Sequence, residues 1–478
     1  MKRAIAKQAV AATAMLLIGG CASVGPDFKP PELPAKVAEQ PPAFVEGGTS
    51  AFSTAPLPAR WWQLYTDPAL DTLVGEALTA NTDLRAAVAN LERSRAIAQE
   101  ARAAAGIQTS LDGGVSVGEA SSLGKGQPAG TSTTFDAGIG ISYQVDVVGR
   151  IRRTIEAVDA DADAQQAAYD LARTTIVANV VDAYSDACAT GARIAVAERS
   201  IRLQRDSLAL TERGRRAGLY PQIDVARSRA LLAQLEAAVP PLESSRRAAL
   251  YSLATLLGRA PRDYPADLAD CARIPTVAQA IPVGDGAALI RRRPDIRQAE
   301  RQLAAATARI GVATAELYPG VSLGASFGTT STALGNIADD SAFRFSLGPL
   351  ISWQFPNRAV ARTRIAQADA VTRGALAIFD GTVLEALREV ETTLAAYSAD
   401  LAENARLKLA RDENRKVAAY QERLSRGGLA TGLERLDAQR NLAVAEAALA
   451  QSDARIAEDR VRLFLALGGG WEADLDTR

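Results

Sequence analysis

Residues Phe135–Val147 read F-D-A-G-I-G-I-S-Y-Q-V-D-V, and this stretch constrains the fold more than any other. Phe135, Ala137, Ile139, Ile141, Tyr143, Val145 and Val147 are apolar. The positions between them, Asp136, Gly138, Gly140, Ser142, Gln144 and Asp146, are polar or glycine. Successive side chains of a strand point to opposite faces, so the pattern predicts a strand with one apolar and one wet face. It is long enough to cross a bilayer, which takes roughly 9–11 tilted residues. The carboxylates of Asp136 and Asp146 set the second face against water, the pattern of a transmembrane barrel strand. A half-exposed strand of a soluble sandwich is the alternative.

The alternation recurs from Ala342 to Phe355, with Phe343, Phe345, Leu347 and Ile351 opposite Arg344, Ser346 and Gly348, and Leu350 out of phase. Val321, Leu323 and Phe327 alternate with Ser322, Gly324 and Gly328, and more weakly Leu111, Val115 and Val117 with Ser110, Gly114 and Ser116. These make two hairpins, at 107–148 and 320–356, with Gly/Ser/Thr-rich loops suited to the mouth of a barrel. An open sheet of four strands leaves edge N–H and C=O groups unpaired in hydrocarbon, so other copies of the chain must close it. Two copies give about eight strands, whose interior side chains fill, while three give about twelve and an aqueous bore. Small polar inner faces favour three.

The chain has 478 residues and no histidine, which removes His-based catalysis and His metal ligation. Losing Lys2, Arg3 and Lys7 with an N-terminal leader takes the formal charge from −1 to −4. That balance is too mild to argue for nucleic acid. Lys2, Arg3 and Lys7 precede an apolar run, Ala9–Ile18, too short to span as a helix, so residues 1–20 read as a signal peptide. Leu17-Ile18-Gly19-Gly20-Cys21 resembles the lipobox of bacterial lipoproteins, which implies cleavage before Cys21 and lipid on that residue; a plain secretory signal is the alternative. No other cofactor is indicated. Cys188 and Cys271 could pair in an oxidising compartment, but one lies in a helical stretch and the other in an irregular one. Two unpaired buried thiols are the expectation.

Residues 21–60 are Pro-rich and read as an extended tether. Repeat 1 follows at 61–260, an irregular linker at 261–285, repeat 2 at 286–470 and a tail at 471–478. Asp67-Pro68 caps a helix that runs to about Ala105. From Arg150 the period is helical, and Ile176, Val180, Ala183, Ala187, Thr190, Ile194, Ala197 and Ile201 form a heptad seam. A turn at Gly218-Leu219 leads to a return helix from about Ile223 to Leu257 that must bend at Pro240-Pro241. The pattern then repeats. Asn81, Ser110, Gly149, Glu212 and Leu257 match Arg293, Ser322, Asn357, Glu422 and Leu467, at offsets of 208–212 residues. A near-constant shift of this length is an internal duplication. Each half is helix, hairpin, long helix, turn, long helix: an α+β membrane protein.

The chain resembles the TolC-like outer-membrane efflux family in its lipoprotein (NodT-type) branch. The residues that carry the likeness are Val24-Gly-Pro-Asp-Phe28, Trp61-Trp62 with Asp67-Pro-Ala-Leu70, Ala238-Val-Pro-Pro-Leu-Glu243, Leu289-Ile-Arg-Arg-Arg-Pro-Asp-Ile296, Ile310-Gly-Val-Ala313 and Tyr318-Pro319. The resemblance implies a homotrimer with a twelve-stranded barrel in outer-membrane lipid and a coiled-coil tunnel through the periplasm. It implies a periplasmic adaptor (membrane-fusion protein) and an inner-membrane pump, often of the RND class, as partners. It places a periplasmic gate at Glu434 and Asp437, three apart on one helix face, with Asp224 helping to tie the closed state. The basic partner expected near Ala430 is absent, leaving Arg426 or Arg435 to substitute. The turns Gly218-Leu219 and Gly428-Leu429 expose apolar tips and are the expected adaptor-docking ends. Two rival classes are a bore-less coiled-coil scaffold, which has no use for alternating strands, and a barrel enzyme, for which no nucleophile or metal motif exists in the sequence.

Overall fold

A computed structural model describes residues 23–31, 44–119, 130–284, 289–290, 292–353, 358–427 and 429–469. The leader, Cys21, Gly428 and the tail lie outside the described residues. The chain divides into two compact units. One comprises 1–32, 90–166 and 298–379, the other 33–89, 167–297 and 380–478.

The elements in chain order are α1 (Pro68–Ala80), α2 (Thr82–Ala104), β1 (Gln108–Glu119), β2 (Thr131–Val145) and α3 (Arg150–Arg216). The return helix comes as α4 (Gln222–Ala237) and α5 (Val239–Leu256). The second half gives α6 (Pro294–Ala315), β3 (Gly320–Ser331), β4 (Phe343–Ser352), α7 (Arg358–Arg426) and α8 (Gly432–Ala466).

The first unit holds one antiparallel sheet in the order β1-β2-β3-β4. The hairpins join through β2 and β3, where Ile139 faces Phe327 and Ile141 faces Ala325. Among the described residues, the outer edges of β1 and β4 pair with nothing. Asp146, expected on the wet face, is not in the strand. Its carboxylate accepts from Ile151 N and Arg152 N, both at 3.0 Å, and so supplies acceptors to the free N–H groups that open α3.

Also in this unit, residues 23–31 are docked, which corrects the tether reading. Val24 N donates to Val148 O at 3.0 Å. The buried Arg153 guanidinium donates to Val24 O, Gly25 O and Asp27 Oδ1. Gly25 (φ +88°) lies so close to Gly311 that a Cβ would meet the Gly311 Cα at 2.4 Å. Phe28 packs on Ala160, Ala304 and Ala305.

The second unit is built around Trp61, which stacks on Phe464 at 4.6 Å between centroids. Phe44, Phe52 and Leu57 join the same core, so the C-terminal part of the supposed tether is packed too. Most of the predicted heptad seam is buried there: Ile176, Val180, Ala183 and Ala187, and, from the second half, Val383, Val390 and Leu394. The first helix breaks at Asn81, which leaves helical geometry (ψ 132°) and caps α2 by accepting from Asp83 N and Leu84 N. Asn81 Nδ2 donates to Leu256 O at 2.9 Å, and its counterpart Arg293 donates to Ala466 O at 2.6 Å. Leu256 and Ala466 are themselves 210 residues apart, so both halves satisfy the last carbonyls of their return helix in the same way. The return helix of the first half breaks at Ala238, just before Pro240-Pro241, because two prolines remove two helix donors. Its counterpart α8 is unbroken over 35 residues.

Cys188 and Cys271 form a disulfide, against the expectation of two free thiols. The linker returns along α3 despite 83 residues of separation. Gly191 admits it, since a Cβ there would sit 1.9 Å from the Cys271 carbonyl oxygen.

Candidate functional site

In the sheet, the register stacks apolar side chains in rows across all four strands. One row is Leu111, Ile139, Phe327 and Phe345. These residues are exposed, Leu111 by 83% and Leu347 beside them by 82%. A soluble protein rarely exposes an apolar face of this extent. The opposite face carries Ser110, Asp112, Thr134, Asp136, Ser142, Ser326, Arg344 and Ser346. Hydroxyls pair across strands there, Ser116 with Thr134 at 2.7 Å and Ser326 with Ser346 at 2.8 Å. Asp136 accepts from Thr330 Oγ1 at 2.5 Å and lies 3.6 Å from Arg344 Nη2. Arg344 reaches it over the Gly138–Gly328 pair, where a Cβ on Gly328 would strike the Ala137 carbonyl at 2.5 Å.

In the second unit, the two helical hairpins end in turns of one design. Gly218 (φ +75°) follows α3, and Leu219 N donates back to Gly214 O at 2.9 Å. After α7, Leu429 N donates to Leu424 O at 2.9 Å, the same reach. At Gly218 a glycine with positive φ closes the helix end without strain. Leu219 is 73% and Leu429 79% exposed.

The predicted acids sit beside these turns, each with a local partner. Glu434 forms a capping box with Thr431: Thr431 N donates to Glu434 Oε2 at 2.8 Å and Glu434 N to Thr431 Oγ1 at 3.3 Å. The Thr431 backbone N–H, then its hydroxyl, hold the Glu434 carboxyl below its usual range. Asp437 accepts from Arg440 at 2.6 Å. Asp224 is half-buried, 3.8 Å from Arg227, and would contact a Cβ on Gly432 at 3.5 Å, so α4 and α8 begin side by side. Neither Arg426 nor Arg435 ties these acids. Arg426 bonds Glu422 at 3.1 Å, and Arg435 is buried and donates to Thr211 Oγ1 at 3.0 Å.

Three features escaped the sequence reading: the Tyr220–Gly214 contact, the Ser207–Gln439 bond and the burial of Arg435 against Thr211. The Tyr220 ring packs against Gly214, where a Cβ would meet it at 2.3 Å. Ser207 and Gln439 join α3 to α8 at 2.9 Å, one helical turn from Arg435 and Thr211. The sequence signal for Arg435 was the repeat itself, which has Val225 at the matching place. Among the described residues no cluster of three metal-binding side chains occurs, and no helix is long and apolar enough to cross a membrane.

Residues 73–259 and 287–469 match the profile of a family described as "Outer membrane efflux protein". Nodulation protein T of Rhizobium leguminosarum bv. trifolii is 30% identical over 463 residues, 95% of this chain and 96% of its own. The pyoverdine export outer membrane protein OpmQ of Pseudomonas putida is 30% identical, over 93% and 95%. The solved outer-membrane channel OprN superposes with a TM-score of 0.87 at 33% identity, over 94% of this chain and 99% of that one.

Proposed function

The chain belongs to the outer membrane efflux protein family, and we propose that it serves efflux as a passive homotrimeric conduit. It would carry small molecules from a periplasmic adaptor and an inner-membrane pump, of the RND class, to the exterior. The observation that carries this reading is the four-stranded sheet, apolar and exposed on one face, hydroxylated on the other, with both edges open. In lipid such edges must pair, and β4 of one copy against β1 of the next closes a barrel without any edge. Three copies make about twelve strands and a wet lumen lined by Ser326, Ser346 and the Asp136–Arg344 pair.

The helical hairpins form the periplasmic tunnel. Lipid on Cys21 anchors the chain to the same membrane, and the docked residues 23–31 hold that anchor to the first unit. Around a three-fold axis, three copies of Glu434 and Asp437 form acidic rings that select for cations, and Asp224 helps to hold the closed state. Gly218-Leu219 and Gly428-Leu429 are the docking tips, since Leu219 and Leu429 are apolar and solvent-facing in both repeats. No step needs a nucleophile or an acid–base pair. Cargo choice rests with the pump.

The test is purified protein in planar bilayers, with its mass measured in detergent. A three-chain particle with steady ion conductance is expected. A particle that does not conduct would support the scaffold reading instead. Leu429→Asp is expected to abolish adaptor crosslinking and export; both unchanged would remove the turns from docking.

A further inference from the structure

A cavity of about 670 Å³ lies among α3, α4, α7 and α8 in the second unit. Small-molecule sites run from roughly 300 to 1,000 Å³. Its apolar wall is Leu203, Leu210, Leu231, Leu235 and Leu442. Arg435 of α8 lines it and is only 3% exposed. Its Nη2 donates to Thr211 Oγ1, and its Nε–H has no hydrogen-bond partner.

The acids of the wall do not neutralise it. Glu422 is held by Arg426 at 3.1 Å and Glu446 by Arg415 at 3.0 Å. Asp206, the third, is exposed. Among the described residues Arg435 therefore has no carboxylate partner. Burying an unpaired guanidinium is costly, and the cost falls only when an anion meets it. Packing does not require the cation. The 210-residue offset that aligns the repeats puts Val225 at the equivalent place, 2% exposed. One repeat fills the position with an apolar side chain, while the other keeps a charged donor beside the cavity, with one N–H that has no hydrogen-bond partner.

We infer that this cavity binds a small amphipathic anion, with a naphthalene-sized apolar body against the leucines and one carboxylate or sulfonate on Arg435. A flat guanidinium suits a planar carboxylate or a sulfonate better than a point cation does. The ligand lies beside the Ser207–Gln439 bond, where it couples α3 to α8. The inference stands apart from the conduit reading, because binding is measured on the protein itself.

The experiment titrates naphthalene-2-sulfonate calorimetrically into the full chain held in amphipol, with naphthalene-2-methanol as the neutral analogue. Saturable binding of one sulfonate per chain is expected, at least tenfold tighter than the analogue. Arg435→Met is expected to weaken it at least tenfold while the melting temperature holds or rises, since a buried unpaired charge has been removed. Ala443→Phe fills the same cavity with Arg435 intact and is expected to abolish binding as well. No binding by the natural sequence, equal affinity for the neutral analogue, or full binding by Arg435→Met or Ala443→Phe would each overturn the inference.

Discussion

Glu434 shows how one carboxylate serves two ends. Its bond from Thr431 N fixes the start of α8, and that bond also keeps it ionised to lower pH. Cap and charge can be separated. Thr431→Ala removes the N-cap hydroxyl and is expected to lower stability by about 1 kcal/mol in denaturant unfolding. Glu434→Gln keeps an acceptor for Thr431 N but loses the charge that this end of the helix favours, and is expected to cost less stability than Thr431→Ala. Combined with Asp437→Asn, it is expected to raise conductance and weaken block by polyvalent cations. If the double variant conducts and is blocked like the natural sequence, the acidic-ring assignment fails. Asp182 gives a second test. Burial, followed by Glu458 and Asp186, pushes its carboxyl up to about 6. The folded chain therefore holds a proton that the unfolded chain has released, and this contribution to stability falls as pH rises from about 4 to about 6. Asp182→Asn is expected to gain about 1 kcal/mol at pH 7.5, a figure already reduced for partial exposure, and nothing near pH 4. A gain that does not depend on pH would place the effect in packing.

At the scale of elements, legibility followed periodicity. The strands were readable because a period of two needs no partner to be recognised, and β2, β3 and β4 lie where the alternation put them. The seam from Ile176 to Ile201 was readable for the same reason at a period of seven. Single side chains that stop or start elements were harder. Asp146 continues the polar phase of its strand in sequence but caps α3 in space. Asn81 sits in an otherwise helical run and breaks it by capping the next helix. Thr431-x-x-Glu434 is a capping signature that could have been read before any gate was assigned. The disulfide was illegible because nothing local says that the linker folds back on Gly191. It closes a long loop, and chain-entropy arguments assign such a loop about 4 kcal/mol. Cys188→Ser with Cys271→Ser is expected to melt well below the natural chain under oxidising conditions. Added reductant should bring the natural chain down to meet it. Reductant-insensitive melting of the natural chain would mean that the thiols are free.

At the scale of the whole molecule, the proposed barrel rests on the two faces of one sheet. Ile139 lies in the apolar row between Leu111 and Phe327, and Ser326 lies on the other face, bonded to Ser346. A charge on the lipid side of a barrel costs about 2–4 kcal/mol near the bilayer middle, and a trimer meets that cost in every copy. A charge in a wet lumen has water and counterions to satisfy it. Ile139→Arg is therefore expected to deplete trimers from the outer membrane, read as loss of the heat-modifiable oligomer band. Ser326→Arg, the same residue type one strand away, is expected to leave trimer yield intact and change single-channel conductance and ion selectivity. The pair is informative because the introduced side chain is the same and the two positions lie on opposite faces of neighbouring strands. The opposite pattern, with Ser326→Arg lost and Ile139→Arg retained, would turn the sheet inside out. Trimers that tolerate both would mean that neither face meets hydrocarbon, and a sheet with two open edges would then need a different partner to satisfy its backbone.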